Sequence, residues 1–254
     1  MARAWLLLAV YSIGLFLALE VMLVPAVLYW PDFAENVDNL KAVAPLPMLR
    51  ALIDEMDFGG AYAYLVGQHF FKACNTVGTA AAVLFAAGAI AGEAHRNTLE
   101  LFLARPFSRT RLLTERFLLG LAALVVPIVL STLTIVPLAD HVGEVLEYEP
   151  LLLSAAHQCS LLSAVYALVF FLSTRATNPM PLAVGMIFVT SLMFAIYVVE
   201  GVSQYSLYRL TDIHDFMRID ATRSLDWRVV GPLLGVSAAF YLASVQSFRR
   251  RLPN

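Results

Sequence analysis

Residues Leu112–Leu138, LLTERFLLGLAALVVPIVLSTLTIVPL, decide the fold: after Glu115 and Arg116 no charged side chain occurs before Asp140. A helix crosses a bilayer with about 20 mostly apolar residues, and this run exceeds that length. Working outward, five more stretches of the same kind are separated by polar or Pro/Gly-rich breaks: Trp5–Tyr29, Ala61–Ala91, Leu151–Thr174, Pro181–Gly201 and Val229–Phe248. The expectation is one all-α integral membrane domain over residues 1–254 with six transmembrane helices. Composition agrees, because 60% of the 254 residues are hydrophobic and 14% are charged, against about 45–50% apolar in a soluble domain. A soluble enzyme, a disordered tail and a disulfide-stapled module are excluded, since one core of this size could not hide so much apolar surface. Cys74 and Cys159 both lie in apolar runs and imply no disulfide framework. The first run is longer than the about 7–15 apolar residues of a signal peptide and lacks a small-residue cleavage site, so it is expected to be retained.

Orientation follows from where the cations sit. One side collects Arg3, Arg96, Arg105, Arg109, Arg111, Arg116, Arg175, Arg249, Arg250 and Arg251 against only Glu93, Glu100 and Glu115. The other side holds Lys41, Arg50, Arg209, Arg218, Arg223 and Arg228 among a larger number of acids. The arginine-rich side is expected to be the cytoplasm, with both termini there. The formal net charge of -2 gives no reason to expect a nucleic-acid partner. On the outer side, Leu49, Leu52, Ile53 and Met56 follow helical i, i+3, i+4, i+7 spacing within the loop Trp30–Gly60 and predict a short amphipathic helix at the membrane surface, bounded by Pro45 and Pro47. The loop Ser203–Arg228 carries Tyr205, Tyr208, Leu210, Ile213, Phe216 and Met217 and predicts a second interfacial cap.

Between the second and third runs lies the most informative soluble stretch, Gly92–Phe117, GEAHRNTLELFLARPFSRTRLLTERF. Asn97 or Thr98 can cap a helix start, Glu100 stands three residues after Asn97 as in a capping box, and Pro106 stops the helix after little more than two turns. Leu99, Phe102 and Leu103 make one apolar face, ringed by Arg96, Arg105, Arg109 and Arg111. Such an element can bury itself in a groove of another protein or lie on anionic lipid. A plain basic loop obeying the positive-inside rule would explain the arginines, but neither the capped apolar helix nor its proline stop.

These residues carry a family resemblance. Glu93, Thr98-Leu99-Glu100, Leu103-Ala104-Arg105-Pro106, Ser108-Arg109 and Arg116 resemble the cytoplasmic signature of the type 2 permease subunits of ATP-binding-cassette (ABC) exporters. More loosely, the resemblance includes six spans with inside termini, a Pro-Leu-Pro segment before Phe58-Gly59, and Leu172-Ser173 near the inner end of the fourth span. It implies that the segment is a coupling helix seated in a cleft of a separate cytoplasmic ATPase. Leu99, Phe102 and Leu103 would be buried anchors, with Glu93, Arg96, Thr98, Glu100, Arg105, Pro106 and Arg109 around them. Asn97 stands where a Gly is usual and Arg116 where a Lys is usual, and both keep the physical role. The first span begins at Trp5, leaving almost no room for the amphipathic elbow helix that many relatives carry.

Polar groups inside the runs form a second set of candidates. Glu20 and Lys72 each lie roughly 13 Å inside the outer ends of their spans, so a Glu20–Lys72 pair between neighbouring helices is expected to offset the cost of charge at that depth. Gln68, His69, Asn75 and Thr76 in the second span, with His157 and Gln158 in the fourth, either line a substrate route or hydrogen-bond between helices. His69 and His157 lack neighbouring ligands at helical spacing, so no metal site is expected.

The chain contains no G-x-x-x-x-G-K-[ST] phosphate loop. No cofactor is therefore expected on it, and ATP and Mg belong to the partner ATPase that the resemblance implies. G-x-S-x-G and H-E-x-x-H are also missing, which weakens the case for a hydrolase. The reading is a non-enzymatic permease half in a bacterial cytoplasmic membrane, paired with a second copy or a related permease, and surrounded by lipid. Two alternatives stay open: an intramembrane enzyme using Glu20, His69 or His157, and a non-transporting assembly subunit.

Overall fold

The computed structural model describes residues 2–45, 47–96, 98, 108–199 and 201–250. Helix accounts for 88% of it, and among the described residues there is no strand. Six helices are long and apolar enough to cross a membrane. These are α1 (Ala2–Val43), α3 (Gly60–His95), α4 (Arg109–His141), α5 (Tyr148–Ser173), α6 (Pro179–Val198) and α8 (Trp227–Arg249). Two short amphipathic helices, α2 (Pro47–Phe58) and α7 (Ile213–Thr222), complete the labelled elements.

Helix α5 is the centre of the packing. Of its most apolar stretch 72% is buried, against 17% in α6 and in α8 and 22% in α1. Helices α3, α4 and α8 all pack on it, α1 lies against α3 and α4, and α6 lies against α3. Small contacts fix the approaches. Ser173 Oγ accepts from Ala91 N at 3.0 Å and donates to Ala87 O at 3.0 Å, stitching the C-terminal end of α5 to α3. At Gly120 of α4 an added Cβ would fall 2.2 Å from Tyr166 Oη, so glycine is what lets the two helices close. There the Tyr166 hydroxyl donates to Phe117 O at 3.1 Å, and Phe117 packs against Tyr166, Phe170 and Tyr241.

Helix ends follow local chemistry. Ser108 caps α4 by accepting from Arg111 N, and Asn178 caps α6 by accepting from Met180 N, with Pro179 at the first turn where its missing N–H costs nothing. Asp212 and Asp226 cap α7 and α8 in the same way. The fifth span ends at Val198, three residues before the Gly201 expected from sequence.

Three expectations need correction. The first span does not give way to a loop at Trp30, since α1 continues through Pro25 and Pro31 to Val43. The extension is amphipathic: Trp30 and Phe33 are buried against Tyr64, with ring centroids 5.2 and 4.6 Å away, while Asp32, Glu35 and Asp38 face outward. Trp30 Nε1 also donates to Glu144 at 2.8 Å. At 1.5 Å per residue the helix is roughly 63 Å long and stands well clear of a bilayer of about 40–45 Å.

Second, the outer segments do more than lie on lipid. Helix α2 carries the expected apolar face, but it folds onto α1, α3 and α7: Met56 is buried, Lys41 of α1 holds Asp54 and Asp57 at 2.8 Å, and His214 Nε2 meets Glu55 at 2.7 Å. Burial pushes the Glu55 carboxyl above its ordinary range, opposed by His214. In the third outer loop Tyr208, Ile213 and Phe216 turn inward and are buried, whereas Tyr205 stays exposed. Phe216 packs on Phe70 and His157, and Tyr208 on Phe194, so this loop plugs the helix bundle.

Third, α3 is not uniformly α-helical. Gly67–Gly78 is wound as a π-helix between α-helical ends. π geometry is rare and concentrates at functional sites. All the polar second-span candidates fall inside it.

Candidate functional site

Where α3 ends and α4 begins the chain builds a clasp. Glu93, near the end of α3, accepts from Arg116 Nη2 of α4 at 3.0 Å, with the two side chains only 18% and 16% exposed. Its other carboxylate oxygen accepts from Thr98 Oγ1, and Thr98 N donates to Glu93 O at 3.1 Å. The clasp thus grips both flanks of the segment between the helices. On the α4 side, Arg109 donates to Arg249 O and Arg249 Nε donates to Thr110 Oγ1 at 3.1 Å, joining the start of α4 to the end of α8. Arg96 is exposed just beyond α3.

Of the expected coupling residues, Glu93, Arg96, Thr98 and Arg109 are therefore placed at the two roots of the segment. Asn97, Leu99, Glu100, Phe102, Leu103, Arg105 and Pro106 lie outside the described residues. Sequence reading put Glu93 at the rim of a partner contact. In the structure its carboxylate is committed inside the chain, because a half-buried acid beside an arginine gains a charge-assisted hydrogen bond that water would not better.

The intramembrane candidates divide into two groups. His69, Asn75, His157 and Gln158 are buried within the bundle. Gln158 Nε2 donates to Asn75 Oδ1 at 2.7 Å, Thr211 Oγ1 donates to the same oxygen at 3.3 Å, and His157 Nε2 donates to Leu210 O at 2.9 Å. His69 Nε2 lies 3.4 Å from Thr132 Oγ1. These side chains join α3 to α4 and α5, and tie α3 and α5 to the plug. Gln68, Lys72 and Thr76 take the opposite face: Lys72 and Thr76 are exposed and Gln68 is half-buried.

The expected Glu20–Lys72 pair is not formed. Glu20 accepts from Thr134 Oγ1 of α4 at 2.8 Å, and Lys72 Nζ donates to Gln68 Oε1 at 3.2 Å. Helix α1 lies against α4 as well as α3, and that places a hydroxyl within reach of Glu20. Among the described residues no cluster of three or more His, Cys, Asp or Glu is placed to hold a metal ion.

Sequence reading passed over several residues that position the site. Ser173, quoted only for its place near the end of a span, stitches α5 to α3 beside the clasp. Thr114 on α4 shares a 2.7 Å hydrogen bond with Tyr241 on α8. Polar side chains one or two turns inside a span end were the available signal, since in lipid such groups seek partners on neighbouring helices.

Six apolar helices, five of them around the buried α5, with a clasp where α3 meets α4, define a multi-pass helical membrane subunit. Residues 3–251 match the family described as ABC-2 family transporter protein, and the chain belongs to that family. It is accordingly the membrane permease component of an ABC transporter. Comparison with curated proteins found no match.

Proposed function

We propose that the chain is one half of an export permease whose segment Gly92–Phe117 is driven by a separate cytoplasmic ATPase. The observation that carries this reading is the Glu93–Arg116–Thr98 clasp. A segment rooted in that way on two packed helices passes a push into α3 and α4 instead of absorbing it. Both termini then face the cytoplasm of a bacterial inner membrane, an orientation that the arginine distribution supports.

A second copy or a related permease completes the path, and the outward-facing apolar surfaces of α1 and α6 leave room for it. The ATPases bind ATP and Mg, and their closure favours one arrangement of the two halves over the other. Direction comes from that difference in binding between states. Within this reading Leu99, Phe102 and Leu103 anchor in the ATPase cleft, with Glu100, Arg105 and Pro106 shaping and rimming the helix.

The test is co-purification of the full chain with a phosphate-loop ATPase encoded beside it. Phe102→Ala is expected to weaken that association at least tenfold, as the loss of a buried aromatic anchor of about 2 kcal/mol does. Membrane insertion should not change. Undiminished co-purification would overturn the assignment.

A further inference from the structure

Lys72 presents an ammonium inside α3, eight residues from Tyr64, which packs at the level of Trp30 where the first apolar run ends, and so roughly 12 Å inside the outer end. A lysine at that depth is too far in to snorkel to the outer headgroups. Among the described residues its ammonium hydrogen-bonds to Gln68, a neutral partner, and no carboxylate ion-pairs with it. Glu20 is turned to Thr134. Thr76 adds a hydroxyl one turn further, with its Oγ1 donating to Lys72 O at 2.7 Å. The polar triplet stands on the exposed edge of the π-helical segment, while the same segment buries His69 and Asn75.

Below the triplet the same face continues as Ala80, Leu84 and Gly88, with Leu84 52% exposed and open space beside Gly88. Helices α1 and α6 pack against the π segment, the latter through Phe71 against Phe194 and Tyr197. Both turn apolar side chains outward, among them Val21, Leu28 and Phe188. A charged donor next to an apolar track is complementary to a molecule with an anionic head and a hydrocarbon body.

We propose that Gln68, Lys72 and Thr76 form the head-group subsite of the transported molecule, an amphiphile carrying a phosphate or carboxylate. Lys72 supplies the positive charge, Gln68 orients its ammonium, and the track at Ala80, Leu84 and Gly88 accepts the apolar portion. An intramembrane cation without an acidic partner is thereby satisfied by the ligand. The proposal rests on the permease reading and names its substrate class.

The chain has only two lysines, Lys41 and Lys72, and Lys41 is already held by Asp54 and Asp57. Reductive 13C-methylation of the full chain in neutral detergent therefore gives two lysine signals and one from the N-terminus, assigned with Lys72→Met. Dodecyl phosphate and dodecanoate are expected to move the Lys72 signal saturably and leave Lys41 in place. Dodecyltrimethylammonium should not move it, and inorganic phosphate alone should act at least tenfold more weakly.

Native mass spectrometry then follows the dodecyl phosphate adduct, expected to be lost in Lys72→Met and retained in Lys72→Arg. Equal response to the cationic amphiphile, equal potency of inorganic phosphate, or a static Lys72 signal would overturn the proposal. So would a Lys72 signal that moves on Glu20→Gln without any probe, because the lysine would then be a structural clamp. None of these readouts needs an ATPase. A failed ATPase association with an intact Lys72 response would sink the ATPase-driven reading alone.

Discussion

Removing the Arg116 guanidinium should loosen the roots of the Gly92–Phe117 segment before it disturbs the rest of the bundle. Arg116 Nη2 lies 3.0 Å from Glu93 Oε1, and both side chains are under one-fifth exposed. An exposed ion pair contributes about 0.2–1 kcal/mol, whereas a charge-assisted hydrogen bond shielded from water contributes about 1.5–3 kcal/mol. The shielding places this pair in the second range. Arg116→Met leaves Glu93 half-buried with Thr98 as its described partner and is expected to cost about 1.5–3 kcal/mol. Glu93→Gln should cost a similar amount.

The double variant strands no charge, so its cost should fall short of the sum of the singles by about 1 kcal/mol or more. The assay is unfolding of the purified chain in detergent for all four members of the cycle, followed by ATP hydrolysis in the assembled transporter. The account expects hydrolysis to lose its dependence on the permease in the single variants. Strictly additive stability changes, or unaltered coupling with the clasp broken, would refute the reasoning.

Other outcomes follow from the packing. Gly120→Ala drives a methyl into Tyr166 and is expected to cost about 1–3 kcal/mol, with partial rescue by Tyr166→Phe because the hydroxyl is the nearest atom; unchanged thermal unfolding of Gly120→Ala would contradict the close approach. Asn75→Leu or Gln158→Leu each leaves the other amide buried without its 2.7 Å partner and should cost about 1–3 kcal/mol, whereas the double replacement costs less than the sum; additivity would show that the two do not interact. Asp226 caps α8 through Arg228 N and pairs with Arg218, and these contacts hold its carboxyl below the ordinary value of 3.8. Because the charged form is favoured in the folded chain, its stabilisation is complete above that pH and lost as the pH falls below it. The stability gap between the native chain and Asp226→Ala should therefore narrow on acidification, and a gap independent of pH down to the acid limit would argue against the cap.

How much of this was legible in the sequence depended on whether the signal was local. The apolar runs located six spans because lipid sets the length of each helix on its own. Helix α2 was visible in the spacing of Leu52, Ile53 and Met56, and the family in the residues around Thr98. The outward extension of α1 was not legible: Pro31 and the acids after it read as a break, and the partners that hold helix there, Tyr64, Glu144, Asp54 and Asp57, are distant in sequence. The inward turn of Tyr208 and Phe216 likewise depends on α3 and α6 supplying aromatic partners. The polar residues of the second span were found, but their sorting into a buried set and an exposed set was not. Gln68, Lys72 and Thr76 recur every fourth residue and so share a face, but which face turns inward is set by the partners that α4 and α5 supply to His69 and Asn75. The Glu20–Lys72 pairing failed because depth alone does not say which way a side chain faces.

The central claim is that Gly92–Phe117 is gripped on the cytoplasmic side by a nucleotide-driven partner. Benzoylphenylalanine in place of Phe102, photolysed in intact cells with and without ATP depletion, tests it most directly. The account predicts a cross-link to a phosphate-loop ATPase whose yield changes with nucleotide. A cross-link formed only with components on the non-cytoplasmic side, or none to any ATPase in the assembled transporter, would contradict it.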